Sequence, residues 1–387
     1  MPAPDQPSFT VDGNRLTMLT DGPERMAQLL ALIDGATRSL RVLYYIYVDD
    51  AAGAAVRAAL IAAARRGVAV QLIVDGLGSE PAASRNFFDP LEEAGVSVCR
   101  FVPRWGRRYL LRNHQKLALA DEARVIIGGF NIEDSYFGTA EQAAWRDLGL
   151  LVEGPAAGRL VGYFDALMRW SERERPPIRA LTRTLRSWSE PEGTARWLLG
   201  GPTRRLSPWA RTVKRDMDRA RRFDLIAAYF APSPAMLRRL DRIGRRGRVR
   251  VVLPSKMDHG AAIWAARFTY AGLLRNKVRI FEYQPTKLHT KLFVIDDIVH
   301  IGSANFDIRS MYLNVELMLR IEDAAFAAHV RAYVEGEIAQ SERITREVYR
   351  ERTGPWTRIK QFAAYFVMAV LDYNVTRRLN FGPERRS

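Results

Sequence analysis

The sequence HQKLALAD at residues 114–121 recurs as HTKLFVID at residues 289–296, with its key letters at the same spacing. Both segments fit the pattern HxKxxxxD, and their histidines are 175 residues apart. Each copy is followed by a Gly-rich turn that ends in asparagine, GGFN at 128–131 and GSAN at 302–305. The chain contains only five histidines, and two of them belong to these copies. The repetition predicts a duplicated structural unit with one imidazole and one ammonium group in each half.

Each copy predicts a strand, a tight turn and a second strand. Side chains two positions apart on a strand point to the same face. His114 therefore lies beside Lys116, and His289 lies beside Lys291. Two histidines that face one phosphate suit a reaction that needs one neutral and one protonated imidazole near pH 7, because the ordinary histidine pKa is about 6.5.

The order of predicted elements around the motifs is also repeated. The segments are, in the first half, strand 40–47, helix 54–65 and strands 68–74 and 95–101, and, in the second half, strand 223–230, helix 234–243 and strands 249–253 and 278–281. Strands that alternate with helices predict an α/β sandwich with a parallel or mixed sheet in each half. We predict domains at 14–170 and 195–345, a polar connector at 171–194, and a basic, apolar helical tail at 346–387.

The composition predicts an anionic partner. The 387 residues include 59 Lys and Arg against 43 Asp and Glu, a net charge of +16. Nucleic acid and an acidic lipid surface both fit this charge, and so does a protein that only keeps itself soluble with surface arginine. The single cysteine, Cys99, excludes an intramolecular disulfide. Neither a cleaved signal peptide nor an apolar run of about 20 residues is evident.

The doubled motif resembles the phospholipase D superfamily, in which two HxKxxxxD copies meet across a pseudo-twofold interface. The resemblance covers roughly residues 14 to 345. It implies two α/β sandwich domains with mixed sheets flanked by helices. It also implies phosphoryl or phosphatidyl transfer without a metal or cofactor, in which one histidine becomes a phosphohistidine and the other protonates the leaving oxygen. Which histidine attacks cannot be derived from the residues, and the resemblance favours His114.

The resemblance assigns catalytic roles to the six motif residues, His114, Lys116, Asp121, His289, Lys291 and Asp296. The lysines, together with Asn131 and Asn305, are expected to bind the non-bridging phosphate oxygens. No Cys/His cluster predicts zinc, and no carboxylate cluster predicts Mg²⁺.

Each imidazole needs a partner on its far nitrogen to fix its tautomer. Asp121 and Asp296 come at the turn after the strand, so we interpret them as structural residues that cap the turn and pair locally. Asp147 and Glu316 follow His114 and His289 by 33 and 27 residues, respectively. Similar carboxylates orient histidines in the family, so these two are the orienting candidates, although either could be a surface acid.

Within the superfamily, the segments NFDIRS at 305–310 and LNVE at 313–316 resemble bacterial cardiolipin synthases. The segments GFNIED at 129–134 and WRDLGLLVEGP at 145–155 resemble them as well. We therefore expect phosphatidyl transfer that makes cardiolipin from phosphatidylglycerol, an anionic phospholipid, by a peripheral protein at the cytoplasmic face of the membrane. A hydrolytic phospholipase D is the main rival. A nuclease is a weaker one, and no specific nucleic acid partner is expected because no DNA-reading module is evident.

The tail contains an apolar segment, residues 362–371, that is preceded by Arg358 and Lys360. At 1.5 Å per residue it extends about 15 Å, roughly half of a bilayer core. Such a helix either inserts at the membrane interface or packs on the protein core, and the sequence leaves both readings open. A basic and aromatic stretch at 104–112 is expected at the mouth of the first-half site.

Overall fold

Two eight-stranded mixed sheets form the framework of the protein. A computed structural model describes residues 7–101, 111–174, 176–203, 206–258 and 260–371. The first sheet has the order β1-β2-β8-β7-β6-β3-β4-β5. Its strands are β1 (Ser8–Val11), β2 (Asn14–Leu19), β3 (Ser39–Tyr44), β4 (Ala69–Asp75), β5 (Ser97–Phe101), β6 (Leu117–Ala120), β7 (Arg124–Gly128) and β8 (Gly149–Glu153). Strands β3, β4 and β5 are parallel, and the other neighbours are antiparallel.

The second sheet repeats this plan in the order β18-β13-β12-β10-β14-β15-β17-β9. Its strands are β9 (Ala195–Gly200), β10 (Arg222–Ile226), β12 (Arg248–Pro254), β13 (Arg279–Tyr283), β14 (Leu292–Ile295), β15 (Ile298–Gly302), β17 (Glu316–Glu322) and β18 (Ser341–Ile344). A separate parallel pair is formed by β11 (Phe230–Ala231) and β16 (Phe306–Asp307). The motif strands β6 and β14 occupy equivalent places, each between a parallel strand trio and an antiparallel hairpin partner.

Helices cover the sheets. In the first half they are α1 (Gly22–Asp34), α2 (Ala51–Arg65), α3 (Glu80–Ala83), α4 (Asp89–Glu93), α5 (Pro155–Gly158) and α6 (Val161–Ser171), with a 3₁₀ turn at Asp134–Tyr136. The connector contributes α7 (Ile178–Ser187). The second half contributes α8 (Pro208–Arg219), α9 (Pro234–Arg246), α10 (Gly260–Arg275), α11 (Ile308–Tyr312) and α12 (Ala324–Ala339), and the tail contributes α13 (Arg346–Arg352), α14 (Pro355–Phe366) and a π-helical turn at Val367–Leu371.

The alternating pattern of each sheet separates three apolar cores. One face of the first sheet packs on α1 and α2, and the equivalent face of the second packs on α8, α9 and α10. The two remaining faces turn toward each other and share an inner core that also includes α6, α7 and α12. Leu117 and Leu292, which directly follow the motif lysines, are both buried in this inner core. The two halves are therefore packed on each other through the strands that carry the motifs.

The motif aspartates secure the far ends of β6 and β14. Asp121 has a left-handed backbone, φ 51°, and its carboxylate accepts hydrogen bonds from the backbone N–H groups of Thr37, Arg38 and Ser39 at 2.7–3.0 Å. Asp296, φ 47°, accepts in the same way from the N–H groups of Arg221 and Arg222 at the start of β10. Both do stand at turns, but their partners lie at the start of the neighbouring strand, 74–84 residues away, so the expectation of local pairing was wrong.

Several elements differ from the sequence-based expectations. The predicted strand 223–230 is interrupted, because β10 ends at Ile226 and β11 belongs to another sheet. Helices α10 and α12 and strands β8 and β17 were not predicted. In the connector, α7 buries Ile178, Leu181 and Leu185 in or beside the inner core, while its arginines are exposed. The connector is thus part of the folded body and is not only a solvated linker.

The tail lies against the second half through α14, which packs along α10. Tyr365 is buried there and donates its hydroxyl hydrogen to the carbonyl of Pro232 at 2.8 Å. Across the described ranges, every helix is too short or too polar to traverse a lipid bilayer.

The packing of α7 generates a stability prediction. Leu181→Ala should lower the free energy of unfolding by about 2–5 kcal/mol, because it leaves a cavity in the inner core. Arg183→Ala, an exposed change on the same helix, should alter it by no more than about 0.5 kcal/mol. Urea denaturation followed by circular dichroism measures both. Equal effects of the two changes would contradict a core role for α7.

The contacts of Asp121 generate a second prediction, with a defined pH dependence. Although partial burial opposes ionisation, backbone hydrogen bonds from Ser39, Thr37 and Arg38 lower the pKa of this carboxyl to about 2. Its folded pKa is thus below the unfolded value of about 3.9, so the stabilisation is complete above a pH of about 4 and is lost as the pH falls toward 2. Asp121→Ala should cost about 1–2 kcal/mol at pH 7.

The neighbouring change Glu122→Ala is the control, because Glu122 shares the turn and is exposed. Urea midpoints of both variants and of the wild type at pH 7 and pH 3 test the account. It fails if Asp121→Ala has the same deficit relative to wild type at both pH values.

Candidate active site

Backbone hydrogen bonds between the two halves hold the motif histidines. The N–H of His114 donates to the carbonyl of Val315 at 2.9 Å, and the N–H of His289 donates to the carbonyl of Arg146 at 2.7 Å. Val315 and Arg146 each immediately precede a carboxylate residue of the opposite half. Main-chain hydrogen bonds therefore join the two halves at two equivalent places, and each such crossing between the halves sets an acid beside a histidine.

In the first crossing, Glu316 contacts His114. Nδ1 of His114 lies 3.1 Å from a carboxylate oxygen of Glu316 and 3.1 Å from the carbonyl oxygen of Ser303. Both neighbours are acceptors, so Nδ1 carries a hydrogen and Nε2 keeps its lone pair. The imidazole is mostly buried, with 12% of its side chain exposed.

In the second crossing, Asp147 contacts His289. Nδ1 of His289 lies 2.6 Å from a carboxylate oxygen of Asp147, and both side chains are buried. The two carboxylates singled out from the sequence therefore do contact the motif histidines. The pairing is exchanged, however, because each acid serves the histidine of the other half and not the histidine that precedes it in the chain. Sequence distance could not reveal this exchange.

The two carboxylates are supported differently. Glu316 accepts hydrogen bonds from the hydroxyls of Ser303 at 2.5 Å and Ser310 at 2.9 Å. Asp147 accepts from the N–H of Leu148 at 2.7 Å and lies against Gly129, where a Cβ atom would come within 2.5 Å of the carboxylate. At equivalent positions of the two Gly-rich turns, Gly129 thus leaves room for Asp147, whereas Ser303 binds Glu316.

The motif lysines are buried beside the histidines. Nζ of Lys116 donates to the carbonyl of His114 at 2.6 Å and lies 5.1 Å from the ring centre of Tyr45. Nζ of Lys291 donates to the carbonyl of His289 at 2.5 Å and lies 2.9 Å from Nδ1 and 3.2 Å from Nε2 of that ring. Burial first, and the other lysine second, lower the pKa of Lys116 to about 7, while burial lowers that of Lys291 to about 8.

The electrostatics of the histidines show that the two halves form one site. Burial is the main cause that lowers the pKa of His114, and both Lys116 and Lys291 contribute. Burial and Lys291, with a further contribution from Lys116, lower the pKa of His289 to about 3. Each imidazole is therefore within electrostatic reach of the lysine from the other half, and both are neutral at pH 7 in the site without substrate.

The two asparagines bracket the site through equivalent contacts. Oδ1 of Asn131 accepts from the N–H of Ile46 at 3.2 Å, and Oδ1 of Asn305 accepts from the N–H of Tyr229 at 3.2 Å. Ile46 follows β3 and Tyr229 follows β10, so the two amide oxygens are held at equivalent places in the two halves. Nδ2 of Asn131 contacts the hydroxyl of Tyr136 at 3.0 Å.

Aromatic side chains and one arginine complete the site, and the sequence did not single them out for this role. The ring of Tyr45 lies 5.0 Å from that of His114, and Tyr136 and Trp145 each lie 5.2 Å from His289. Buried Arg25 donates to the carbonyls of Asp147 and Tyr136 at 2.6 and 2.7 Å. Trp145 stands in a segment that resembles the family, whereas no signal pointed to Arg25.

The remaining candidates lie elsewhere. Asp121 and Asp296 are at the opposite ends of the motif strands, about 13 Å along a four-residue strand, so they do not join the imidazoles and ammonium groups. The stretch 104–112 falls mostly outside the described residues. Considering only side chains that the structure describes, no three of His, Cys, Asp and Glu converge in a way that could hold a metal ion.

Comparisons with known proteins agree with this geometry. The family model described as cardiolipin synthase, PLD-like domain, matches residues 29–168 and 213–338. Cardiolipin synthase A of Pseudomonas entomophila is 32% identical over 346 residues, 87% of this chain and 71% of that protein. The major cardiolipin synthase of Bacillus subtilis is 30% identical over 375 residues, 94% of this chain and 76% of that protein.

Among solved structures, the phosphatidylserine synthase of Haemophilus influenzae has the same fold. Its TM-score is 0.71 at 13% sequence identity, and the match covers 95% of this chain and 97% of that one. The expected architecture of two α/β repeats with mixed sheets flanked by helices is confirmed. On the extent of the family match and the identity to these cardiolipin synthases, the chain belongs to the phospholipase D-like family of cardiolipin synthases.

Proposed function

We propose that this protein makes cardiolipin by transferring a phosphatidyl group from one phosphatidylglycerol molecule to another. The observation that carries the proposal is the exchanged pair of histidine–carboxylate contacts, which engage Nδ1 of both buried imidazoles and leave Nε2 of each as the nitrogen for reaction with a phosphate. The similarity to cardiolipin synthases supports this choice of substrate and product.

In the first step, Nε2 of His114 attacks the phosphorus of a bound phosphatidylglycerol. The bond from phosphorus to the glycerol headgroup oxygen breaks, and that oxygen takes a proton from His289, which releases glycerol. The phosphatidyl group remains on His114 as a phosphohistidine. The choice of His114 as the nucleophile follows the family resemblance, and the exchanged contacts support either assignment.

In the second step, His289 removes the proton from a terminal glycerol hydroxyl of a second phosphatidylglycerol. The resulting oxygen attacks the phosphohistidine, the P–N bond breaks, and His114 is regenerated as a neutral imidazole. Two phosphatidylglycerols thus give one cardiolipin and one glycerol, with the proton returned to His289. Water in place of the second lipid would give phosphatidic acid, which is the hydrolytic alternative.

The carboxylates and the cationic side chains have different roles in the two steps. Glu316 and Asp147 hold Nδ1–H of the histidines and stabilise the positive charge that each ring gains in turn. Lys116 and Lys291 would donate to the non-bridging oxygens, as would the amide nitrogens of the two asparagines, where negative charge develops in the transition state.

Binding of the anionic substrate allows His289 to take up the proton that it needs to act as an acid. In the site without substrate, burial and the lysines hold the pKa of His289 at about 3. A phosphodiester anion between the halves offsets the lysine charges and raises the histidine pKa, because an opposite charge favours the protonated form. The site therefore takes up a proton together with its anionic substrate.

The lipid substrate implies that the enzyme works at a membrane surface, and we include an anionic phospholipid surface in the proposal. The net charge of +16 supports electrostatic attraction to such a surface. The side of the membrane stays a prediction.

Loss of either motif histidine should abolish turnover. His114→Ala and His289→Ala should each lower kcat by at least about 10³, since nucleophile and acid cannot replace each other. His329→Ala is the control, because this histidine packs on Phe9 at 4.8 Å, away from the site. Formation of cardiolipin and glycerol from labelled phosphatidylglycerol is the measurement, and activity near that of the control in either variant would refute the shared site.

Activity should persist when divalent metal ions are chelated. Lys116, Lys291 and the asparagines provide the cationic and hydrogen-bonding contacts, so excess EDTA should leave the rate of cardiolipin formation unchanged. The same reaction, scored for phosphatidic acid, tests the hydrolytic alternative. A loss of activity that added Mg²⁺ or Zn²⁺ restores would overturn this account of charge stabilisation.

A further inference from the structure

The large apolar side chains that remain exposed are concentrated on one part of the surface. Among the described residues, eight large hydrophobic side chains are exposed, and six of them lie on α10, on α14 and on the π-helical turn after α14. These six, named here the apolar face, are Trp264, Trp356, Ile359, Phe362, Phe366 and Val367. Trp356 is 78% exposed, which is the largest value of the group. A patch of this kind marks an interaction surface.

Helix α14 has two distinct faces. Gln361 and Tyr365, one turn apart, are buried against the protein, with Gln361 bonded to the hydroxyl of Tyr349 at 3.2 Å. Trp356, Ile359 and Phe362 recur at the spacing that places them on another side of the helix. Rotation of the helix to cover the exposed side would therefore uncover the buried one. The packed state and the exposed apolar face coexist, so the two readings left open by the sequence do not exclude each other.

The charge around the apolar face favours an anionic partner. The segment 355–371 contains no Asp or Glu, and its two charged residues, Arg358 and Lys360, are both exposed. Nζ of Lys360 lies 5.9 Å from the ring centre of Trp264. Aromatic side chains bordered by cations on a short helix are typical of segments that lie in the interface of an anionic bilayer.

The apolar face also belongs to the part of the protein that carries the second half of the site. Tyr365 bonds to Pro232, directly after β11, and packs in a small cluster with Ile308 of α11. Strand β11 pairs with β16, which begins one residue after Asn305. Helix α11 carries Ser310, whose hydroxyl supports Glu316 at 2.9 Å. The helix that presents the apolar face thus rests on the wall of the active site.

We propose that the apolar face inserts into the headgroup region of an anionic membrane and holds the site against the lipid surface. The proposal rests on the proposed function in one respect, that the substrate is a membrane phospholipid. It specifies which surface meets the bilayer, and it excludes a second copy of the chain or another protein as the occupant of that face.

Point substitutions test this better than truncation. Deletion of residues 357–387 would remove Tyr365 and uncover Ile308, and so would disturb the wall of the site as well as the apolar face. The triple variant Trp356→Gln, Ile359→Gln and Phe362→Gln changes exposed positions only and keeps good helix formers in α14. Trp188→Gln is the matched control, because Trp188 is also exposed, at 38%, but lies outside the face.

The measurement is co-sedimentation of the full chain with vesicles of phosphatidylcholine, with and without phosphatidylglycerol. All proteins carry His114→Ala, so that the lipid is not consumed and binding is read independently of turnover. The triple variant should bind phosphatidylglycerol vesicles at least tenfold more weakly than its parent, with an unchanged thermal unfolding midpoint, whereas Trp188→Gln should bind like the parent. The double variant Arg358→Gln and Lys360→Gln should weaken binding mainly at low salt.

Two results would overturn the proposal. One is parental vesicle binding by the triple variant. The other is a parent that self-associates in light scattering while the triple variant is monomeric and binds vesicles equally well, which would assign the face to a second copy. Cardiolipin formation by the chain without the His114 change, assayed in detergent micelles, tests the proposed function separately. Activity in micelles without binding of the parent to vesicles would reject only the proposal that the apolar face inserts into a membrane. Vesicle binding without activity in micelles would reject only the proposed cardiolipin synthesis.

Discussion

The active site depends on one reciprocal exchange, in which each half of the chain gives a carboxylate to the imidazole of the other. The backbone bonds from His114 to Val315 and from His289 to Arg146 make this exchange part of the main-chain framework. Side-chain orientation, tautomer and charge at each histidine then follow from residues that lie about 140 or 200 positions away in the sequence. The motif strands of both sheets contribute side chains to the same inner core, so the packing between the sheets keeps these contacts together. A change that separated the sheets would disassemble both histidine–carboxylate contacts at once.

The same arrangement resolves an electrostatic difficulty. Burial disfavours the charged forms of the two lysines and the two histidines, and the lysine charges further lower the pKa values of both histidines and of Lys116. The pKa values of Asp147 and Glu316 are lowered although burial opposes ionisation. Lys291 and His289 lower the pKa of Asp147, and His114 and Lys116 lower that of Glu316. In this site the two carboxylates stay ionised, whereas the pKa values of the two lysines are lowered toward neutral pH. A phosphodiester anion is the kind of ligand that offsets the positive charge of the site when both lysines are protonated.

The sequence predicted what depends on local pattern. The apolar run after each motif lysine placed β6 and β14, and the acidic residues after it placed the turns, because strand alternation and turn chemistry are short-range properties. It failed where a partner lies far along the chain. Asp121 accepts hydrogen bonds from residues 37–39, and Asp147 contacts His289. Neither contact could be predicted from the spacing of residues along the sequence. The connector was predicted to be only a polar segment for another reason. Helix α7 contacts the core through Ile178, Leu181 and Leu185 alone, and three apolar residues among arginines give a polar average composition.

The unequal supports of the two carboxylates have a consequence for how such a site can change over generations. If the halves were identical chains, any substitution near one imidazole would appear near the other, and both would be altered together. Here Gly129 leaves space for Asp147, while Ser303 and Ser310 bind Glu316, so a single codon change reaches one imidazole only. Covalent fusion of the halves therefore frees selection to adjust the surroundings of each imidazole separately, within a framework that remains symmetric.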